Sequence, residues 1–298
     1  MEYHKPVLLT ETVDGLNVKP DGIYVDVTFG GGGHSKEILN RLGEEGRLVA
    51  FDQDEDSIVN IINDSRFLLI NENFRYLKQF LKFNSISKVD GILGDFGVSS
   101  HQFNVAERGF STRFEAKLDM RMNKKSPFSA FDVINKYSEE KLRLVFYNYG
   151  ELRAAAGIAR VIVENRQQRP IVSSEQLKNS LGRFLPKHRE SKILAQIYQA
   201  IRIEVNQELA ALKDFLSQTI DVLNSGGRLS LISYHSLEDR LVKRFIRNGL
   251  FEGEPEKDVF GRVDIPFKKI GKFIIPTHDE IKRNNRARSA KLRIAEKL

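Results

Sequence analysis

Three stretches of the chain carry residue types and spacings that could hold a small-molecule cofactor. The first is "VDVTFGGGGHSKEI", residues 25–38, where four consecutive glycines separate an apolar run from a helical one. Such a run permits left-handed turns and lets another group approach the backbone closely. The second is Asp52, which ends the apolar run "GRLVAFD" 19 residues after Gly33. An acid there can accept hydrogen bonds from both hydroxyls of a ribose. The third is "ILGDFGVSSHQF", residues 92–103, in which Asp95 ends another apolar run and is a candidate to contact cofactor or substrate.

The glycine loop fits some cofactors better than others. A phosphate loop needs Gly-Lys-Ser/Thr at its end, but Gly33 is followed by His34 and Ser35. The dinucleotide pattern G-x-G-x-x-G is met at Gly30 and Gly32 and fails at Ser35. A looser glycine loop of the kind that binds S-adenosylmethionine remains, with the following helix N-terminus favouring the cofactor carboxylate. Asp52 supports a nucleoside cofactor without choosing which one. The Asp95-Phe96-Gly97 triplet lacks the His-Arg-Asp loop and strand lysine that a kinase would need. His34 has no companion ligands at metal-binding spacing, so a place in the cofactor loop suits it better and no metal site is expected. His235, in "SYHSLED", either lines the ligand crevice or opens a helix beside a Ser236 cap.

The elements that must position these residues follow from periodicity. Strands are expected in "GIYVDVTF" (22–29), "GRLVAFD" (46–52), "RFLLINENF" (66–74) and "VDGILGDF" (89–96). Helices are expected in "HSKEILNRL" (34–42), "EDSIVNIIND" (55–64) and "RYLKQFLKF" (75–83). Strands alternating with helices predict a parallel, doubly wound sheet. From 107 to 205 helical patterns dominate, and "SKILAQIYQAIRIEV" could run straight into the next helix. After 206 a long helix stopped by glycine leads to the strand "GRLSLISY" and the helix "SLEDRLVKRFIRN", where Ser236 and Asp239 have capping-box spacing. The expected architecture is an α/β domain of residues 1–106 and 206–298 with an all-α insertion at 107–205.

With 298 residues, 41% hydrophobic and 29% charged, the composition is that of an ordinary globular protein. Cysteine is absent, which excludes disulfides and thiolate chemistry. The opening "MEYHKPVLLTETV" lacks a secretory-signal layout, no run is long enough to span a membrane, and a cytoplasmic location is expected. Net charge is +7, but its distribution is uneven: residues 107–205 carry +8 and residues 268–298 carry +7, leaving −8 on the remainder. Positive charge gathered in two segments suits a polyanion, and equally the solvated faces of helices.

Taken in order, the motifs resemble the small-subunit 16S ribosomal RNA (cytosine-N4)-methyltransferase H family, also called MraW. The blocks are "HKPVLLTETVDGL", "DVTFGGGGHS", "DGILGDFGVSSHQF", "ERGFS", "LDMRM", "QAIRIEVNQEL", "GGRLSLISYHSLEDRLVKRF" and "NNRARSAKLRIAEK", which run from residue 4 to residue 297. The resemblance implies a Rossmann-like, class I S-adenosylmethionine-dependent methyltransferase sheet. Its substrate would be the exocyclic N4 of a cytidine in 16S rRNA, near the decoding centre and within the small subunit. It also implies that Gly32, Gly33, His34, Asp52, Phe74, Asp95 and Gln102 contact the cofactor, and that the helical insertion grips RNA. Phe96 and His101 depart from the usual leucine and proline of the family. The Asn/Asp-Pro-Pro-aromatic motif of many amino-methyltransferases is absent, so the N4 target is implied by the resemblance alone.

The amine of cytosine is a poor nucleophile because its lone pair is shared with the ring, so a nearby acceptor for its hydrogens is needed. Asp95 is the candidate for that role, and a backbone carbonyl within residues 95–100 is the alternative. Arg286, Arg288, Lys291 and Arg293 are candidate phosphate contacts, although "SAKLRI" also reads as a final strand whose solvated face they would form. Two other readings compete: an RNA-binding ribosome-assembly factor without turnover, and a NAD-linked oxidoreductase.

Overall fold

The computed structural model describes residues 6–261 and 263–298. His4 and Lys5 of the opening motif lie outside the described residues. By contacts the chain divides into two compact units, Met1–Gly97 with Leu209–Leu298, and Val98–Glu208. The sequence placed these divisions at 106/107 and 205/206.

The first unit is built on one seven-stranded sheet. Its strands are β1 (Ile23–Asp26), β2 (Arg47–Phe51), β3 (Phe67–Ile70), β4 (Val89–Asp95), β5 (Leu223–Ser233), β6 (Phe267–Ile274) and β7 (Lys291–Lys297), in the order β3-β2-β1-β4-β5-β7-β6. The first five pair in parallel, and β7 and β6 close the edge antiparallel. Alternation along the strands divides the core in two. Val25, Val49, Ile92 and Leu229 face α3 (Leu77–Phe83), α10 (Glu208–Val222) and α11 (Ser236–Asn248) through Leu77, Phe215 and Phe245. Tyr24, Leu48 and Leu93 face α1 (Leu9–Leu16) and α2 (Gly33–Arg41) through Val13, Leu16 and Ile38. Helices on both faces of a mostly parallel sheet make this the doubly wound α/β architecture expected from the alternation. In such a sheet the strand order reverses at β1 and β4, and ligands bind outside the carboxyl ends of the strands there.

The second unit has its own core. Phe146, Ile158, Ile162, Leu177, Ile197 and Ile201 pack together from α6 (Glu139–Asn148), α7 (Ala155–Gln168), α8 (Ser174–Leu181) and α9 (Glu190–Asn206), beside the shorter α4 (Ser100–Asn104) and α5 (Ala130–Lys136). Among the described residues its extended pairing is limited to one bridge, Lys117 with Ser173.

Four local expectations need correction. Residues 55–64 form a short 3-10 turn, Glu55–Asn60, in place of a helix. Val59 and Ile61 there stay exposed, so no buried apolar face exists to hold a helix against its unfavourable β-branched composition. Next, α9 does not run into α10, because Gln207 adopts a left-handed conformation at φ 50° and breaks the path. The α10 helix ends at Val222, ahead of the glycines, and the spare residues form an irregularity in β5 where Gly226 takes φ 77°. Finally, α11 is capped by His235 with Glu238, not by Ser236 with Asp239. No described helix is long and apolar enough to cross a membrane. A last short helix, α12 (His278–Arg283), precedes β7.

Candidate functional site

The carboxyl ends of β1, β2 and β4 present three carboxylates, Asp26, Asp52 and Asp95. Each apolar strand ends in, or is followed at once by, an acid, so the chain reaches the crevice with its charge outermost. Asp26 is fully buried and accepts from the Ser35 hydroxyl at 2.7 Å and the Thr28 N–H at 3.0 Å. This explains Ser35, the residue that spoils the dinucleotide pattern: its hydroxyl satisfies a buried carboxylate. The Thr28 hydroxyl in turn accepts from the Asp95 N–H at 2.6 Å, tying the ends of β1 and β4 together.

Asp52 accepts from the Gly30 N–H at 2.8 Å and the Asp54 N–H at 2.8 Å. It therefore fixes the glycine loop to the end of β2. Some of its surface is open, yet the protein atoms around it strip enough water that its pKa is pushed up to about 7, against the pull of those two N–H groups. The loop itself turns tightly, with Gly32 donating to the Phe29 carbonyl at 2.7 Å. Gly32 has φ 73°, and a Cβ there would lie 2.9 Å from the Phe29 ring. At Gly33 a Cβ would lie 2.1 Å from Pro6. Phe29 and Pro6 thus stand where a side chain on these two glycines would go, so the protein's own packing requires glycine at both positions.

Asp95 accepts from the Tyr234 hydroxyl at 2.8 Å. Burial pushes its pKa up to about 6, opposed by His34 and by the tyrosine, and assisted by Asp26 and Glu238. Burial also raises the Asp26 carboxyl and drives the Tyr234 phenol well above its ordinary value, with Asp95 adding to it. His34 is buried, with Nε2 3.1 Å from the Val7 carbonyl oxygen. Phe74 is partly buried in a cluster with Phe96 and Phe215, at ring separations of 5.8 and 5.5 Å. Among the described residues no lysine or arginine pairs with Asp26, Asp52 or Asp95.

Residues 1–298 match the MraW methylase family. The chain belongs to that family. Ribosomal RNA small subunit methyltransferase H of Christiangramia forsetii is 68% identical over 298 residues, which cover 100% of this chain and 99% of that protein. Its namesake in Flavobacterium psychrophilum is 69% identical over 290 residues, covering 97% of this chain and 100% of that one. A solved rRNA methylase from Streptococcus thermophilus matches over 100% of this chain and 99% of its own, at 12% identity and a TM-score of 0.44, a likeness too loose to argue from.

The remaining expected residues of this MraW methylase fall elsewhere. Gln102 lies in the second unit, where it and Ser99 form a reciprocal capping box at the start of α4. In the tail, Arg293 grips Asp239 at 2.8 Å and Lys291 lies 3.4 Å from the same carboxylate. The Arg293 side chain is only 12% exposed. These two cations are tied to α11, whereas Arg288 is exposed and Arg286 half-buried. His235, read as crevice-lining or helix-opening, caps α11 with its Nδ1 facing the Glu238 N–H at 3.4 Å.

Sequence reasoning missed Asp26, Thr28 and Tyr234. An acid ending the run "IYVD" was a visible signal for Asp26. Nothing in the order of residues pairs Tyr234 with Asp95, 139 positions away.

Proposed function

We propose that the protein is an S-adenosylmethionine-dependent methyltransferase that modifies the exocyclic N4 of a cytidine in 16S rRNA of the small ribosomal subunit, in the cytoplasm. Support for the substrate comes from the names of relatives 68% and 69% identical to it. The observation that carries the cofactor is the set of carboxylates at the switch point, which have no lysine or arginine partner among the described residues. S-adenosylmethionine bears a sulfonium and an ammonium, and carboxylates favour such charges over the pyrophosphate of a dinucleotide.

The residues present fit that group. Asp52 is an acceptor whose two oxygens each receive one backbone N–H, which leaves lone pairs for a ribose diol. Gly32, Gly33 and His34 form the loop and helix start facing the same edge, and Phe74 offers a flat apolar surface suited to an adenine. Gln102 stays in the assignment as a residue of the second unit. When bound, the cofactor supplies an activated methyl group.

The chain must then align and activate the acceptor amine. With Oδ1 of Asp95 held by Tyr234, Oδ2 is the oxygen left to accept a hydrogen from the cytosine amine. That contact would localise the nitrogen lone pair and accept the proton the amine loses on methylation, the sulfur keeping the electron pair of the broken S–C bond. The cytidine must leave its stack to reach Asp95.

Methyl transfer from labelled S-adenosylmethionine to small subunits lacking the modification, followed by nucleoside analysis, tests the reading. N4-methylated cytidine is the expected product. Label on another atom would break the target assignment. Cofactor binding with no transfer to subunits or free 16S rRNA would favour an assembly factor, and preference for NAD would overturn the cofactor.

A further inference from the structure

Helix α11, "SLEDRLVKRFIRN", divides its side chains sharply. Val242, Phe245 and Ile246 are buried in the core beneath the sheet. On the opposite side lie Arg240, Lys243, Arg244 and Arg247, at spacings of three, four and seven residues from the first. That spacing forms one stripe about 100° wide. Arg240, Lys243 and Arg247 are exposed. Arg244 is half-buried, donating to the Gly253 carbonyl and lying 4.0 Å from Glu254.

Like charges at these spacings repel one another along a helix, and a face shaped only by solvation would intersperse acids. The helix has two acids, Glu238 and Asp239, and both lie in its first turn. Glu238 is 2% exposed and accepts from the Tyr234 N–H at 2.9 Å in the cap. Asp239 is taken by Arg293 and Lys291 of β7. The favourable field of a helix C-terminus reaches Arg247, which also donates to the Asn248 side chain at 2.9 Å, and does not extend to Lys243 in the middle of the helix. Position adds to composition. The helix starts at Ser236, two residues after Tyr234, whose hydroxyl holds Asp95. From Arg240 to Arg247 the stripe is about 10 Å long, enough for several successive phosphates of one strand.

We infer that the exposed face of α11 is a track for the RNA phosphate backbone, leading the strand toward the site at Asp95. This rests on the reading of the substrate as RNA. The track binds without regard to sequence and supplies affinity and direction, while the choice of base is made in the crevice.

The test uses the full-length protein and 16S rRNA in unmodified small subunits, with binding measured across a salt series. Lys243→Gln and Arg247→Gln should each weaken binding about three- to fivefold near 0.15 M salt. Each should also flatten the slope of log K against log salt by about 0.7. Lys243→Arg should keep both, and S-adenosylmethionine affinity should be unchanged throughout. A double glutamine variant with wild-type affinity and slope would overturn the track, as would weakened binding with an unchanged slope. Absence of RNA binding by the wild type would overturn the substrate reading along with it. Wild-type binding that the variants leave intact would overturn the track alone.

Discussion

Asp95 and Asp239 are carboxylates of one unit, near the ends of neighbouring elements, and their surroundings give them opposite characters. Asp95 is held by a phenol and faces other acids, and burial raises its pKa to about 6. Burial would raise Asp239 as well, but the two-pronged contact with Arg293 and the charge of Lys291 outweigh it and hold that carboxyl below its ordinary value. The first keeps an affinity for protons and cations; the second has spent it on the fold. The partner of a carboxylate, more than its burial, thus separates a group available for chemistry from one that joins two elements.

Substitutions on the two sides should therefore fail differently. Asp95→Asn should lower the methyl-transfer rate about 10²- to 10⁴-fold while S-adenosylmethionine affinity, followed by calorimetry, changes less than about tenfold. A rate within a factor of a few of wild type would remove Asp95 from the chemistry. Asp52→Ala deletes the acceptor for the Gly30 and Asp54 N–H groups and the partner proposed for the ribose. Cofactor affinity should fall about 100-fold, on the scale of two hydrogen bonds to a charged group.

Asp239→Ala should show the reverse pattern. It strands Arg293, whose side chain is nearly enclosed, and should cost about 2 kcal/mol in a denaturant titration. Cofactor affinity should not change. Loss of cofactor binding at constant stability would erase the contrast between the two carboxylates.

The contrast also has a pH signature. For Asp52 and Asp95 the folded pKa lies above the unfolded one, so the native state holds the extra protons. Their contribution to stability is present below the ordinary carboxylate pKa and is lost as pH rises to about 7 and about 6 respectively. Asp239 has the opposite sign: its contribution is present above the ordinary carboxylate pKa and disappears as pH falls through its depressed value. Melting temperatures from pH 4 to 8 should decline less steeply in Asp52→Asn than in wild type. An unchanged slope would mean that Asp52 titrates normally in the fold.

How far the sequence anticipated this depends on the range of the interaction. The strand–glycine–helix order, Asp52 after β2 and Asp95 ending β4 are local patterns, and the structure places all three at one edge of the sheet. Residues 55–64 misled because a helical apolar period does not reveal whether another surface will cover it, and Val59 remains 82% exposed. The α11 cap went to His235 and Glu238 because Asp239 was drawn to β7, a pairing across 54 positions. Pairing at that distance is set by the antiparallel return of β7 along β5, where Arg293 stands opposite Leu231. The same pairing withdrew Lys291 and Arg293 from the basic tail, which charge counting had treated as one surface.

The smallest expected effect sharpens the comparison most, because it alters Asp95 without removing it. Tyr234→Phe deletes the hydroxyl that donates to Asp95 Oδ1 and leaves the ring packed against the apolar cluster that includes Ile232, Ala290 and Leu292. A hydrogen bond to the charged form favours it, so its loss should raise the Asp95 pKa further above 6 while His34, Asp26 and Glu238 keep acting as before. The acid limb of the rate profile should move toward higher pH by up to about one unit. Near pH 8.5 the variant should regain most of the wild-type rate, since Asp95 is ionised there in both. A uniform loss at every pH would assign the tyrosine to packing, and an unmoved profile would mean that another group, not Asp95, takes the amine proton.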